Sequence, residues 1–382
     1  MKLVVQIQLL PDRDASRSLL GTVERINAAC NWTAGEAFQR QVSNRIELQR
    51  LIYRDIRDRF GLSAQMTCLC IRRVCEAYKR DKSIQPNFRK HAAMPFDQRT
   101  MRFQGIDRVS LLTLQGRRLV PFIVGRYGED RLNFPKGQAD LVRRKNGRWF
   151  LLVTVDVPDD TPVPATDFIG VDMGIANIAT DSDPDTEPYS GENIERIRRK
   201  HNLQRRRLQR KGTKGAQKKL KRLARKEARF RRHENHVISK TTVARAKGTG
   251  RGIALEDLGA IRDRLTARGT DARNRLSGWS FGQLYAFLAY KAQLAGVPIE
   301  VVAPAYTSQT CAACGHCRKS NRKSQSEFVC KACGHRAHAD KNAARNIRAR
   351  ALAKRALELA VDEAKAGASR TAAETSRKSH TL

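Results

Sequence analysis

Two sets of side chains in this 382-residue chain have the types and spacing for metal chemistry. The first is sulfur. Cys311 and Cys314 are separated by two residues, as are Cys330 and Cys333, with fifteen residues between the pairs. Two such knuckles bring four thiolates into a tetrahedron around Zn²⁺. Gly315 and Gly334 follow the pairs, where a tight knuckle favours positive φ. Four thiolates close the coordination sphere, so this zinc is expected to hold structure and to do no chemistry. Cys317, His316 and His335 are spare donors and read as bystanders. Cys30, Cys68, Cys70 and Cys75 lie in a helical region without matched pairs and read as buried free thiols.

The second set is acidic, and here chemistry is expected. The stretch TDFIGVDM (166–173) reads as a short buried strand ending on Asp172, followed by a turn into a second, antiparallel strand. GIALEDL (252–258) is another short apolar strand, ending on Glu256. Asp257 would face the opposite side of that strand and is left out of the site. In HADKNAARNI, Asp340 opens an Ala-rich helix expected to run to about residue 365, where an acid suits the helix dipole. Taken singly, each acid is an ordinary turn former or cap.

The elements around the acids follow one plan. Two strands carry Asp172, a basic helical insert follows, and then comes the strand with Glu256. An amphipathic helix at about 279–295 has Phe281, Leu284, Phe287 and Leu288 at helical spacing. The strand VPIEVV, the cysteine ribbon and the helix of Asp340 complete the order. This is the order of an RNase H-like fold, in which adjacent strand ends bring three carboxylates together. Such a trio needs divalent cations, and two Mg²⁺ ions can activate water against a phosphodiester.

Charge points to the same substrate class. Lys and Arg number 74 against 38 Asp and Glu, a formal charge of +36. Residues 196–232 hold 19 Lys/Arg and one acid, Glu227. So concentrated a charge implies a polyanion, and nucleic acid is the leading partner. No membrane partner is expected, because no apolar run of about 18 residues exists. MKLVVQIQLLPDRD reads as an alternating strand and not as a signal peptide. With the CxxC spacing, it indicates a cytoplasmic setting.

FIGVDMGI, IALEDL and HADKNAARNI, with TSQTCAACG and FVCKACG between the last two, resemble the TnpB family. These are RNA-guided nucleases of bacterial insertion sequences, related to the type V CRISPR effectors. The likeness is close over roughly 165–350, and RLSGWSFGQLYAFLAYKAQLAG shares it. It implies an α+β multidomain chain with a RuvC-like nuclease domain at 165–309 and 336–365. A basic helical insert would occupy 191–240, the zinc ribbon 310–335 and a disordered tail 366–382. It implies Asp172, Glu256 and Asp340 as Mg²⁺ ligands and Cys311, Cys314, Cys330 and Cys333 as zinc ligands. A guide RNA from the transposon end would direct cleavage of double-stranded DNA beside a short fixed motif, with the protein on the nucleoid when DNA-bound. An RNA-guided repressor or a strand-joining transposase are the other readings that this scaffold allows. Many relatives carry an acid two residues before the last catalytic Asp, where this chain has His338.

Two regions remain. Gly212 and Gly215 are expected to break the basic stretch into two helices, with Ile197, Leu203, Leu208, Leu220, Leu223 and Phe230 as a sparse apolar side. Lys and Arg there would grip phosphates without reading sequence. In the ribbon, Arg318, Lys319, Arg322 and Lys323 would help to guide a DNA strand. The N-terminal half reads as a β-barrel (1–10 and 95–164) interrupted by a helical lobe (11–94). The resemblance implies wedge and recognition lobes there. Tyr78, Phe88 and Trp149 are read as packing residues that could otherwise stack on bases. The ribbon, inserted just before Asp340, is expected to fix the entry of that helix.

Overall fold

The structure, a computed structural model, describes residues 1–162, 164–258 and 281–378, with side chains of the last helix described to Val361. The part of the expected amphipathic helix before Phe281 and the last four residues of the expected tail lie outside them. The chain forms two compact units, Met1–Pro158 and Asp159–Leu382.

The first unit is a seven-stranded antiparallel sheet nearly closed into a barrel. Its strands are β1 (Lys2–Leu9), β2 (Met94–Phe96), β3 (Met101–Gln104), β4 (Arg108–Thr113), β5 (Gly116–Ile123), β6 (Lys136–Arg143) and β7 (Trp149–Asp156). They lie in the order β2-β6-β7-β1-β5-β4-β3. The edge strands β2 and β3 are consecutive in the chain, so the short turn 97–100 tethers one edge to the other. Val5, Ile7 and Leu9 alternate inward along β1, as the strand period demands. Between β1 and β2 run α1 (Arg13–Gln39), α2 (Arg45–Phe60) and α3 (Ala64–Tyr78). Asp12, Asn44 and Ser63 cap their N-termini by accepting backbone N–H groups. Gly61, at φ 61°, ends α2 in the left-handed conformation. A short α4 (Arg126–Glu129) precedes β6. Cys30, Cys70 and Cys75 are buried among the helices. Tyr78 and Trp149 are buried too, with Tyr78 Oη donating to the Ala34 carbonyl and Trp149 Nε1 to Ser16 Oγ.

The second unit is built on a five-stranded sheet that carries Asp172 and Glu256. Its strands are β8 (Phe168–Asp172), β9 (Asn177–Asp181), β10 (Tyr189–Ser190), β11 (Gly252–Glu256) and β12 (Ile299–Val302), in the order β10-β9-β8-β11-β12. β8, β11 and β12 are parallel, and β9 and β10 run antiparallel to their neighbours. The pleat sorts side chains to two faces. Ile169, Val171, Ile253 and Leu255 pack with Ile238, Val243 and Ala246 of α6 (Lys214–Gly248) and with Leu284, Leu288 and Ala292 of α7 (Phe281–Leu294). Phe168, Ala254 and Val302 face the other way, onto Ile347 and Ala351 of α8 (Ala339–Lys378). Helix α8 continues past residue 365 to Lys378, since alanine-rich sequence favours helix.

Gly170 sets how closely α8 approaches. A Cβ on it would lie 2.1 Å from the Ala344 carbonyl oxygen and 2.7 Å from the Arg348 amide. Helix backbone therefore rests on strand backbone, as only glycine permits. Gly170→Ala should destabilise the protein by at least ~2 kcal/mol through overpacking. Urea unfolding checks this.

Candidate nuclease centre

Position on the sheet brings the first two acids together. Leu255 pairs with Val171 in parallel register, so the next residues, Glu256 and Asp172, stand side by side at the strand ends. Alternation turns both toward the face that carries α8. Helix α8 runs antiparallel to β8. Arg348 pairs with Asp167 through two 2.8 Å bonds, Ala344 rests on Gly170, and Asp340 lies one turn further toward the strand ends. Four helical residues advance about 6 Å and two strand residues about 6.6 Å, so Asp340 arrives level with Asp172. Asn177 of β9 completes the approach, donating from Nδ2 to Asp340 Oδ2 at 2.9 Å.

The carboxylates feel one another. Burial first, then repulsion from Glu256 and from Asp340, pushes the Asp172 carboxyl up to about 8, with Arg322 opposing. Burial also raises Glu256, against a hydrogen bond from Thr307 and the charge of Arg350. Desolvated acids of like charge call for a bound cation, so the donor set fits Mg²⁺. Among the described residues no three carboxylates come within 4.8 Å of one another. The acids form an open array. Asp257 is exposed beyond the strand end.

The four cysteines do close. The Sγ atoms of Cys311, Cys314, Cys330 and Cys333 all lie within 4.8 Å of one another. Cys311 and Cys333 are 3.8 Å apart, and Cys314 and Cys330 3.6 Å. A tetrahedron with 2.3 Å metal–sulfur bonds needs about 3.8 Å between sulfurs. The Cys333 amide, aided by that of Ala332, draws the Cys330 thiol down to about 6. Gly315 and Gly334 are left-handed, at φ 75° and 73°. Cys317, His316 and His335 stand outside the cluster. Asn321, fully buried, joins the two knuckles: Nδ2 donates to the carbonyls of Gln309 and His316, and Oδ1 accepts from the Lys331 amide. The ribbon's strands β13 (Glu327–Val329) and β14 (Arg336–His338) lead directly into α8.

Several contacts at the acids have no signal in residue spacing. Arg322 reaches from the ribbon to Asp340 Oδ1, at 3.2 Å. The sequence marks it only as one cation in a basic run. Thr307 Oγ1 donates to Glu256 Oε1. Lys341, next to Asp340, binds Thr186 at 2.9 Å and Asp181 at 3.5 Å, and so moors the first turn of α8 to the loop after β9. At His338, Nδ1 accepts the Asp340 amide at 3.3 Å, a capping role that requires a neutral Nδ1.

The basic insert folds as a hairpin of α5 (Glu192–Lys211) and α6. The break falls at Gly212, left-handed at φ 61°, and Thr213, whose side chain caps α6. Gly215 lies inside α6, which corrects the expectation that it breaks the stretch. Leu203 faces solvent, against its expected place on the apolar side. His201 and Arg205 turn inward instead, onto Glu227. Phe287 of α7 stacks on His236 of α6, with centroids 4.0 Å apart.

Two family models match. Residues 151–258 match the one described as "Probable transposase", and residues 281–347 match "Cas12f1-like, TNB domain". The first span holds Asp172 and Glu256; the second holds Asp340 and all four clustered cysteines. The resemblance to the TnpB family holds. The chain is 35% identical over 220 residues to a "CRISPR-associated endodeoxyribonuclease Cas12f1" of Sulfoacidibacillus thermotolerans, covering 53% of this chain and 50% of that one. It is 33% identical over 224 residues to the "Putative RNA-guided DNA endonuclease InsQ" of Escherichia coli K12, covering 54% of each. The match therefore spans about half the length of these curated relatives. Among solved structures, it shares its fold with the protein of a Cas12f1-sgRNA-target DNA complex, with a TM-score of 0.67 and 16% identity over 88% of this chain and 83% of that one. The mini-RNA-guided endonuclease Cas_phi3 gives 0.55, at 11% identity over 92% of both chains. No helix among the described residues is long and apolar enough to cross a membrane.

Between the ordinary Asp value of about 3.9 and about 8, folded Asp172 keeps a proton that the unfolded chain has released. The metal-free protein should therefore lose stability as pH rises through this window. Mg²⁺ should restore it by binding the folded form. Melting temperatures from about pH 5 to about pH 8, with and without Mg²⁺, check this. Asp172→Asn should flatten the pH dependence and abolish the Mg²⁺ gain.

Proposed function

We propose that this chain is an RNA-guided DNA endonuclease of the TnpB kind, cutting at Asp172, Glu256 and Asp340. The observation that carries the reading is the register that sets Glu256 beside Asp172, with the first turn of α8 delivering Asp340 to the same strand ends. The strand order β10-β9-β8-β11-β12, with its three parallel strands, supports an RNase H-like, RuvC-type nuclease domain. The N-terminal sheet and helices would be the wedge barrel (1–10, 95–164) and recognition lobe (11–94). The cysteine cluster would hold a structural Zn²⁺. The partners are a guide RNA from the transposon end and target duplex DNA beside a short motif, in the cytoplasm.

Bound Mg²⁺ would supply Lewis-acid charge to the scissile phosphodiester and lower the pKa of an attacking water. The chain's own groups do the rest. Asp172 and Glu256 fix one side of the cation site from the rigid sheet, and Asp340 fixes the other from α8. Asn177 orients the Asp340 carboxylate, and the Arg322 guanidinium offers planar donors to phosphate once it leaves that carboxylate. The α5–α6 hairpin buries Glu227 against Arg205 and leaves most of its other Lys and Arg side chains at the surface, which suits backbone contacts to a duplex whose sequence is checked by base pairing.

Purified protein should carry a discrete RNA, and sequencing it should give the guide scaffold and a target to test. With that RNA and target, Asp172→Asn, Glu256→Gln and Asp340→Asn should each lower cleavage by roughly a thousandfold or more, a loss of several kcal/mol of charge stabilisation. DNA binding should persist. Full-speed cutting by any of the three, or strand joining in place of hydrolysis, overturns the reading.

A further inference from the structure

Glu256 meets a residue that the nuclease reading leaves without a task. Thr307 is 4% exposed and sits in the turn between β12 and the ribbon. Its hydroxyl faces two acceptors, Glu256 Oε1 and the Pro304 carbonyl at 3.2 Å, with one proton to give. An ionised carboxylate takes that proton by preference, because charge-assisted bonds are the stronger. Threonine is stiff at χ1, so the hydroxyl's position follows its backbone. That backbone is unusual. Tyr306 stands just before it at φ 62°, a left-handed conformation that is strained for a non-glycine residue and persists where surrounding structure enforces it.

The enforcing contacts come from α8 and the first cysteine knuckle. Asn346 Nδ2 donates to the carbonyls of Thr307 at 2.8 Å and Thr310 at 2.7 Å. One turn earlier, Asn342 Nδ2 donates to the same Thr310 carbonyl at 2.7 Å, while its Oδ1 accepts the amide of Ala312, between Cys311 and Cys314, at 2.9 Å. Both asparagine side chains are buried. A continuous path thus runs from knuckle to Asn342, Asn346, Thr307 and the Glu256 carboxylate.

We propose that Thr307 is a positioning residue for Glu256, and that the cysteine knuckle, through Asn342 and Asn346, sets how tightly the acid site holds a divalent cation. The inference rests on the nuclease-centre reading above and deepens it. An outer hydrogen-bond partner of a ligating carboxylate fixes its orientation, and losing one typically weakens metal binding by about 10–100-fold.

The test is titration of the full-length, zinc-loaded protein with Mn²⁺, followed by electron paramagnetic resonance, with zinc content measured alongside. Thr307→Val keeps the shape and removes the donor. It should weaken Mn²⁺ binding by about tenfold at unchanged zinc content, and Thr307→Ser should restore it. Asn346→Ala leaves the hydroxyl in place and should weaken binding by about threefold, which keeps the idea testable if the valine variant does not fold. Asp172→Asn separates the two readings. If it and the wild type bind Mn²⁺ alike, the acid site itself is wrong and this inference falls with it. If Asp172→Asn loses Mn²⁺ while Thr307→Val and Asn346→Ala stay within about twofold of wild type, only the role of Thr307 and the knuckle is overturned.

Discussion

Three carboxylates drawn to the strand ends of one sheet repel, and the rest of the second unit makes sense as the means of holding them there. Water would screen that repulsion, but burial strips it away, and Asp172 responds by keeping its proton toward neutral pH. The scaffold must therefore be stiff where the acids attach and must supply positive charge nearby. Stiffness comes from parallel strands in fixed register. Positive charge comes from Arg322 and Arg350, both reaching the acids from elements later in the chain.

A ring of ion pairs does similar work one layer out. Buried Asp181 takes Arg245 and Lys341, Asp183 takes Arg251 in a two-bond fork, and Asp167 takes Arg348 in another. These pairs join β8, the loop after β9, the end of α6 and α8. Losing both partners of Asp181 would leave a buried charge unmatched, whereas the more exposed Asp167–Arg348 pair serves chiefly to fix geometry. The alternation along β8 and β11 keeps the two jobs apart, with apolar side chains on the α6–α7 face and chemistry on the α8 face.

Much of this was legible in residue order. The two CxxC pairs closed into one cluster because local knuckle geometry depends on few residues. The short apolar runs ending on Asp172 and Glu256 became neighbouring parallel strands. The hydrophobic spacing of α7 was read correctly for Leu284 and Leu288, but Phe287 left the sheet core to stack on His236, a tertiary choice with no local signal. Leu203 faces solvent: periodicity gives a face and not its occupants, and Arg205 turns inward onto Glu227 instead, with His201 beside it. Within the expected barrel range, strand β6 has the weakest signal: KGQADLVR alternates poorly and carries a register shift between Lys136 and Ala139. Thr307, Asn177 and Lys341 act only through partners far along the chain, which no single-sequence pattern records.

The contact at Gly170 has a mechanical meaning. Where two elements meet through side chains, a push on one is partly absorbed by rotamer shifts in the layer between. Here peptide touches peptide, so that cushioning layer is missing. At that point a displacement of α8 should pass directly to β8, two residues from Asp172, while Phe168 and Ala254 keep a side-chain layer elsewhere along the helix.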